Sequence, residues 1–150
     1  MSETSTQKEP TFNIVAQGVR DLSFENKLEF GVGLGEQPEI SVNIQANGKK
    51  NTEESYEVTL VINIEAKHKE KTLFLVELQY AGLCHAQNVP ADVLPTLLMI
   101  QTPTFLFPYA RQIVSDTTSQ AGLPPLYLQP VDFAALYRNQ QATTDAVGTA

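Results

Sequence analysis

Apolar and polar residues alternate with a period of two through most of the first two thirds of the chain. Phe12, Ile14 and Ala16 form one such run, and Ile40, Val42, Ile44 and Ala46 a second. The longest run is Tyr56, Val58, Leu60, Ile62, Ile64 and Ala66, and after a polar turn at 68–72 the pattern resumes with Phe74, Val76, Leu78 and Tyr80. Successive side chains of a strand point to opposite faces, so these runs predict four strands with one face buried. The third and fourth are close enough to form a hairpin.

Past Gly82 the period lengthens. Residues 89–102 are apolar, but Pro90 and Pro95 confine any helix there to short or kinked pieces. From Thr104 onward Phe105, Tyr109 and Ile113 recur at i, i+4 and i+8, with Arg111, Gln112, Ser115 and Asp116 mostly to the other side. That spacing predicts an amphipathic helix ending near Gly122, its rings packed on the sheet or on a second subunit. LPPLYLQP (123–130) reads as an extended linker. Asp132 is positioned to cap a last helix, with Val131 and Leu136 at the spacing of a hydrophobic staple and Phe133, Leu136 and Tyr137 on its apolar face. Four strands followed by helices predict an α+β domain, a four-stranded antiparallel sheet with helices packed on one face. The expected division is an N-terminal tail at 1–10, the domain at 11–138 and a C-terminal tail at 139–150.

One loop departs from the usual composition. NKLEFGVGLGEQP (26–38) has three glycines and a proline, yet also Leu28, Phe30, Val32 and Leu34. A solvated loop is ordinarily polar, so this one either folds its apolar side chains back or offers them to something else.

Composition narrows the function classes. With 150 residues, 42% hydrophobic and 18% charged, the chain suits a single globular domain. Seventeen acids against ten bases give a net charge of −7, which argues against nucleic acid or an anionic membrane and favours a basic partner. Cys84 is the only cysteine, so no internal disulfide and no multi-cysteine metal site can form. The opening MSETSTQKEP lacks an apolar leader core, and no run approaches the roughly 18 apolar residues of a spanning helix, so a cytoplasmic location without membrane insertion is expected.

Catalytic chemistry finds little support. Cys84 and His85 are adjacent, and neighbours on a strand face opposite ways, so a buried thiol and a surface or subunit-contact histidine are expected rather than a dyad. His68 lies in a turn beside Lys67, Lys69 and Lys71 and is expected to be solvated. Phosphate-binding, zinc-protease and nucleophile-elbow motifs are missing. GVGLG (31–35) does not sit between a strand and a helix start and is followed by Glu36 and Glu39. The expectation is a protein that is not an enzyme and needs no cofactor. What remains is surface. Opposite the apolar faces of strands three and four lie Glu57, Thr59, Val61, Asn63 and Glu65, then Leu73, Leu75, Glu77 and Gln79, either a plain solvent face or a docking surface for a basic partner.

Three stretches together are specific. Leu106-Phe107-Pro108-Tyr109-Ala110-Arg111, Leu126-Tyr127-Leu128-Gln129-Pro130-Val131-Asp132-Phe133 and Asp21-Leu22-Ser23-Phe24-Glu25 resemble, in order and spacing, the protein-export chaperone SecB family over about residues 11–138. The resemblance implies a homotetramer built as a dimer of dimers. It further implies an ATP-independent holdase that keeps preproteins unfolded and passes them to the SecA motor. By position, Asp21, Glu25, Leu75 and Glu77 match the family's acidic SecA-facing surface. Leu28, Phe30, Val32 and Leu34 of the crossover loop match one wall of a client groove, with Phe133, Leu136 and Tyr137 of the last helix facing them. Two departures stand out: Glu36 occupies the place before Gln37-Pro38 where members often have tryptophan, and TTDAVGTA (143–150) carries one charge where many members have a longer, charged tail that contacts SecA. The alternatives are a SecB-like chaperone dedicated to an antitoxin, and a small enzyme or ligand carrier with a pocket between sheet and helices.

Overall fold

The structure, a computed structural model, describes residues 9–32 and 38–148, with side-chain surroundings as far as Gln141. Four strands, β1 (Thr11–Asn26), β2 (Glu39–Lys50), β3 (Ser55–His68) and β4 (Lys71–Gln87), pair antiparallel in the order β1-β4-β3-β2. A helical run follows: α1 (Leu94–Thr96), a π turn (Leu97–Gln101) and α2 (Thr102–Gln120). After an extended linker comes α3 (Phe133–Gly148). The α+β class and the four-stranded antiparallel sheet expected from the sequence are both present.

The core lies on one face of the central strands. Val58, Leu60, Ile62, Ile64 and Ala66 of β3 and Phe74, Val76, Leu78 and Cys84 of β4 are buried beneath the helical layer. Each large aliphatic side chain among them is worth roughly 1.5–3 kcal/mol in removal from water. Two glycines mark where the helical run crosses the sheet. A Cβ at Gly48 on β2 would stand 3.1 Å from the Met99 sulfur, and one at Gly82 on β4 would stand 3.1 and 3.3 Å from the two terminal methyls of Leu106.

The helix α2 corrects one expectation. Its buried side is Leu106, Phe107, Ala110, Val114 and Thr118, with Thr102 and Pro103 at its start. Phe105 and Tyr109 of the predicted apolar stripe are 52% and 48% exposed. The stripe and the buried side differ because the sheet meets α2 at Leu106 over Gly82, about a quarter turn from Phe105. Tyr109 instead stacks on Tyr80 of β4, ring centroids 6.3 Å apart, and Phe105 lies 5.9 Å from Tyr109. Pro108 falls on the exposed side, where water can satisfy the carbonyl its missing N–H leaves free.

Strand β1 departs from simple alternation. Its ladder with β4 shifts register between Ile14 and Ala16 and again between Val19 and Asp21. Each bulge reverses the parity of the faces. Phe12 and Ile14 share the helix-facing side, but Ala16 pairs with Leu83 on the other, and Leu22 and Phe24 return to the helix side. The β3–β4 hairpin closes through Lys69 and Glu70, both left-handed at φ 49° and 68°, as a two-residue turn of this twist demands. Asp132 caps α3 as expected, its Oδ1 accepting from the Ala135 amide at 3.1 Å. That helix runs past Arg138 to Gly148, through most of the stretch expected to form a tail. Among the described residues no helix is long and apolar enough to cross a membrane.

The close approach at Gly82 makes a direct test. Gly82→Val places two extra methyl groups against Leu106 and Ile14, and overpacking of this kind costs about 1–3 kcal/mol. The urea midpoint should fall accordingly, while Gly18→Val, where a Cβ meets nothing within 4 Å, should leave it nearly unchanged.

Candidate functional site

Two surfaces remain once the core is formed, one on each side of the sheet. The first follows from β2 being an edge strand. Ile44, Val42 and Ile40 pair with Ile62, Ile64 and Ala66 and so point to the same, helix-bearing side. Their partners on β3 are buried, whereas Ile40 and Val42 stay largely exposed, because the helical layer does not reach this far. Opposite them stands the linker. Ile40, Val42, Ile44 and residues 126–131 enclose an open apolar cleft of about 400 Å³.

The linker wall is stiff for reasons of sequence. Pro124, Pro125 and Pro130 hold the backbone extended. Leu128 is buried, Arg111 of α2 lies over the Tyr127 ring at 5.7 Å from its centroid, and Phe133 packs edge-on against Phe107 at 5.8 Å. The residues expected to face a client divide accordingly. Phe30 and Val32 of the loop after β1 are exposed, Phe30 completely, while Leu28 is half-buried against the core. Leu34 lies outside the described residues. Leu136 and Tyr137 are half-buried on α3. Phe133 is only 2% exposed and serves as a core anchor, so its ring offers no surface: a correction caused by its packing on Phe107. The cleft residues of β2 and the linker were missed as a site, although their alternation and prolines were visible, because the sequence does not say which strand lies at the edge.

The second surface is the bare face of the sheet. Glu25 pairs with Leu75, Ser23 with Glu77 and Asp21 with Gln79, so all four residues expected to meet SecA lie on one face of two neighbouring strands. On the other side of β4, Glu65 pairs with Leu75 and Asn63 with Glu77. Leu75 is thus flanked by carboxylates from both neighbours. Some of this charge is locally compensated: Lys67 reaches Glu65 at 3.7 Å, Lys27 reaches Glu25 at 4.0 Å and Arg20 reaches Glu57 at 3.6 Å. Among the described residues no such bridge falls on Asp21 or Glu77. Exposed pairs of this kind add little stability, so their arrangement matters mainly for the field they present.

The thiol and imidazole separate as expected. Cys84 is fully buried with its sulfur 3.7 Å from Thr102 Oγ1, while His85 sits on the other face with Nε2 3.4 Å from Glu54 Oε2. The Thr102 hydroxyl donates to the Leu97 carbonyl at 2.7 Å, which leaves the thiol as donor to Thr102. Burial raises the Cys84 pKa above the ordinary thiol range.

Comparison with known proteins shows the family. A family model described as "Preprotein translocase subunit SecB" matches residues 5–144. The chain belongs to the SecB family. It is 44% identical over 147 residues to the protein-export protein SecB of Ruegeria sp. (strain TM1040), covering 95% of this chain and 90% of that one. It is 45% identical over 138 residues to the SecB of Parvibaculum lavamentivorans, covering 89% and 82%. Among solved structures, the Mycobacterium tuberculosis SecB-like chaperone Rv1957, in complex with a peptide from the HigA1 antitoxin, superposes with a TM-score of 0.67 at 13% identity, over 80% of this chain and 90% of that one. That likeness is one of fold. In this SecB the cleft and the acidic face occupy opposite sides of a single sheet.

The buried thiol yields a check on the core. Cys84 should be inert to a thiol reagent in the native protein and react fully in concentrated guanidinium. Because its folded pKa is raised, the unfolded chain loses the thiol proton first; stability is therefore intact below the ordinary thiol range and falls as pH rises through it. Cys84→Ala should flatten that alkaline decline.

Proposed function

We propose that this SecB is an ATP-independent holding chaperone of the cytoplasm that captures unfolded preproteins, keeps them competent for translocation and delivers them to SecA. The observation that carries this reading is the apolar cleft between β2 and the linker, open along its length and lined on both walls by side chains that make no sequence-specific demand. Burying one client side chain there gains roughly 1.5–3 kcal/mol. Several such contacts along one unfolded chain reinforce each other through effective concentration. The exposed Phe30 and Val32 are proposed to offer further apolar surface to the client, and Leu34 with them.

Assembly as a homotetramer, a dimer of dimers, is supported by the exposed Phe105 and Tyr109, which a second copy would cover. Docking of SecA on Asp21, Glu25, Leu75 and Glu77 is supported by their shared face and by the uncompensated carboxylates of Asp21 and Glu77. The export reading is preferred over dedication to an antitoxin. Relatives at 44% and 45% identity are protein-export proteins, whereas the antitoxin-bound chaperone shares 13%. Crosslinking in cell extract followed by client identification separates the two: many unfolded preproteins support export, and one dominant antitoxin would overturn it.

Two further outcomes are expected. Ile40→Ser combined with Val42→Ser should weaken capture of an unfolded preprotein at least tenfold, the equivalent of about 1.4 kcal/mol, with the circular dichroism spectrum unchanged. Capture at wild-type affinity would place the client elsewhere. Asp21→Lys with Glu77→Lys should sharply reduce SecA binding at low salt and spare client capture, since exposed charges act within about 8–10 Å and govern encounter and specificity.

A further inference from the structure

We propose that Thr118 is a positioning residue for the client cleft, its hydroxyl holding the linker wall at its spacing from β2. This rests on the reading of the cleft as the client site. Thr118 is fully buried on the inner side of α2, one turn beyond Val114, where an aliphatic residue of the same shape would serve packing equally well. Its hydroxyl donates back to the carbonyls of Val114 and Ser115, both at 3.0 Å. The hydroxyls of Thr104 and Thr117 likewise donate back along the helical run, to Ile100 and Ile113. Thr118 adds a second bond: its oxygen accepts the Leu126 amide at 3.0 Å, from outside the helix.

The sequence of the linker gives that bond its weight. Gly122, at φ +81°, reverses the chain at the end of α2, and the next amide, Leu123, donates to the Thr118 carbonyl at 3.1 Å. Pro124 and Pro125 have no N–H, so Leu126 is the first residue after Leu123 able to donate one. Both amides end on Thr118, one on its carbonyl and one on its hydroxyl. Leu126 is also where the cleft wall begins. Thr118, whose carbonyl takes the closing bond after α2, therefore also sets where the wall starts, without itself lining the cleft. Replacing the hydroxyl by a methyl group leaves the Leu126 amide without its acceptor and frees the wall between Leu123 and the buried Leu128.

The test compares Thr118→Val, which keeps the shape and removes the acceptor, with Thr118→Ser, which keeps the acceptor. Affinity for an unfolded preprotein is measured on the full-length protein, together with hydrogen exchange at Leu126. Thr118→Val should weaken capture roughly three- to tenfold, the factor that loss of one hydrogen bond commonly produces, and accelerate Leu126 exchange. Thr118→Ser should restore both. A purely structural threonine would lower the thermal midpoint and leave the client affinity of the folded protein unchanged, and that result overturns the proposal. Exchange in the wild-type protein is a second arm should the valine variant fail to fold: Leu126 must be markedly slower than the exposed Tyr127 and Gln129, and equal rates overturn it. The Ile40/Val42 serine variant separates the two levels. If it captures normally, the cleft reading fails; if it is impaired while Thr118→Val is not, only the role of Thr118 fails.

Discussion

The seating of α2 on β4 at Gly82 is the contact from which the rest of the architecture follows. With Leu106 directly over a residue that has no side chain, the helix lies closer to the sheet than a side chain at 82 would readily allow, and the aliphatic face of β3 and β4 is buried beneath the helical layer. One helical run of this length covers only a strip of a twisted four-stranded sheet. The far face stays bare, and at the β2 edge the apolar alternation continues past the point where the helical layer stops. Both candidate surfaces are thus remainders of the same packing: one polar because it never met a helix, the other apolar because it belongs to the core side and was left uncovered.

The division suits a protein that must handle two partners of opposite character. An unfolded client offers apolar side chains in no fixed order, and a cleft of Ile40, Val42, Ile44 and linker residues gains from their burial without reading a sequence. The acidic face offers little to such a client but presents a field from Asp21, Glu25 and Glu77 to the proposed motor partner. Because strand side chains alternate, neighbouring residues on the same strand meet different surroundings: Val76 points into the core while Leu75 and Glu77 point outward. The stiffness of the linker matters equally. Three prolines, the Arg111–Tyr127 contact and the buried Leu128 fix it as a wall.

Much of the fold was legible because period-two runs survive in the central strands, where one face is buried over the whole length. Legibility failed where a local rule was broken or where neighbours had to be known. The two bulges of β1 reverse parity at Ile14/Ala16 and Val19/Asp21, so alternation set Ala16 on the same face as Phe12 and Ile14 when it lies on the other. Phe105, Tyr109 and Ile113 form a regular stripe, yet the sheet contacts the adjoining stripe of Leu106, Ala110 and Val114. Periodicity identifies an apolar face but does not choose between two. The acidic face was named residue by residue from the resemblance, and the ladder brings those residues together. The cleft was only half seen: Phe133 has the composition of a groove residue and the burial of an anchor, and the exposure of Ile40 and Val42 depends on β2 being an edge, a fact of topology.

The central claim is that the client cleft and the acidic face are separate and can be occupied together. The most direct measurement is the mass, by light scattering coupled to size exclusion at low salt, of complexes formed from this protein, an unfolded preprotein and SecA. A ternary species whose mass equals the sum of all three components is expected, with client affinity unaltered by saturating SecA in the absence of nucleotide. Displacement of the client by SecA under those conditions, leaving only binary complexes, would contradict it.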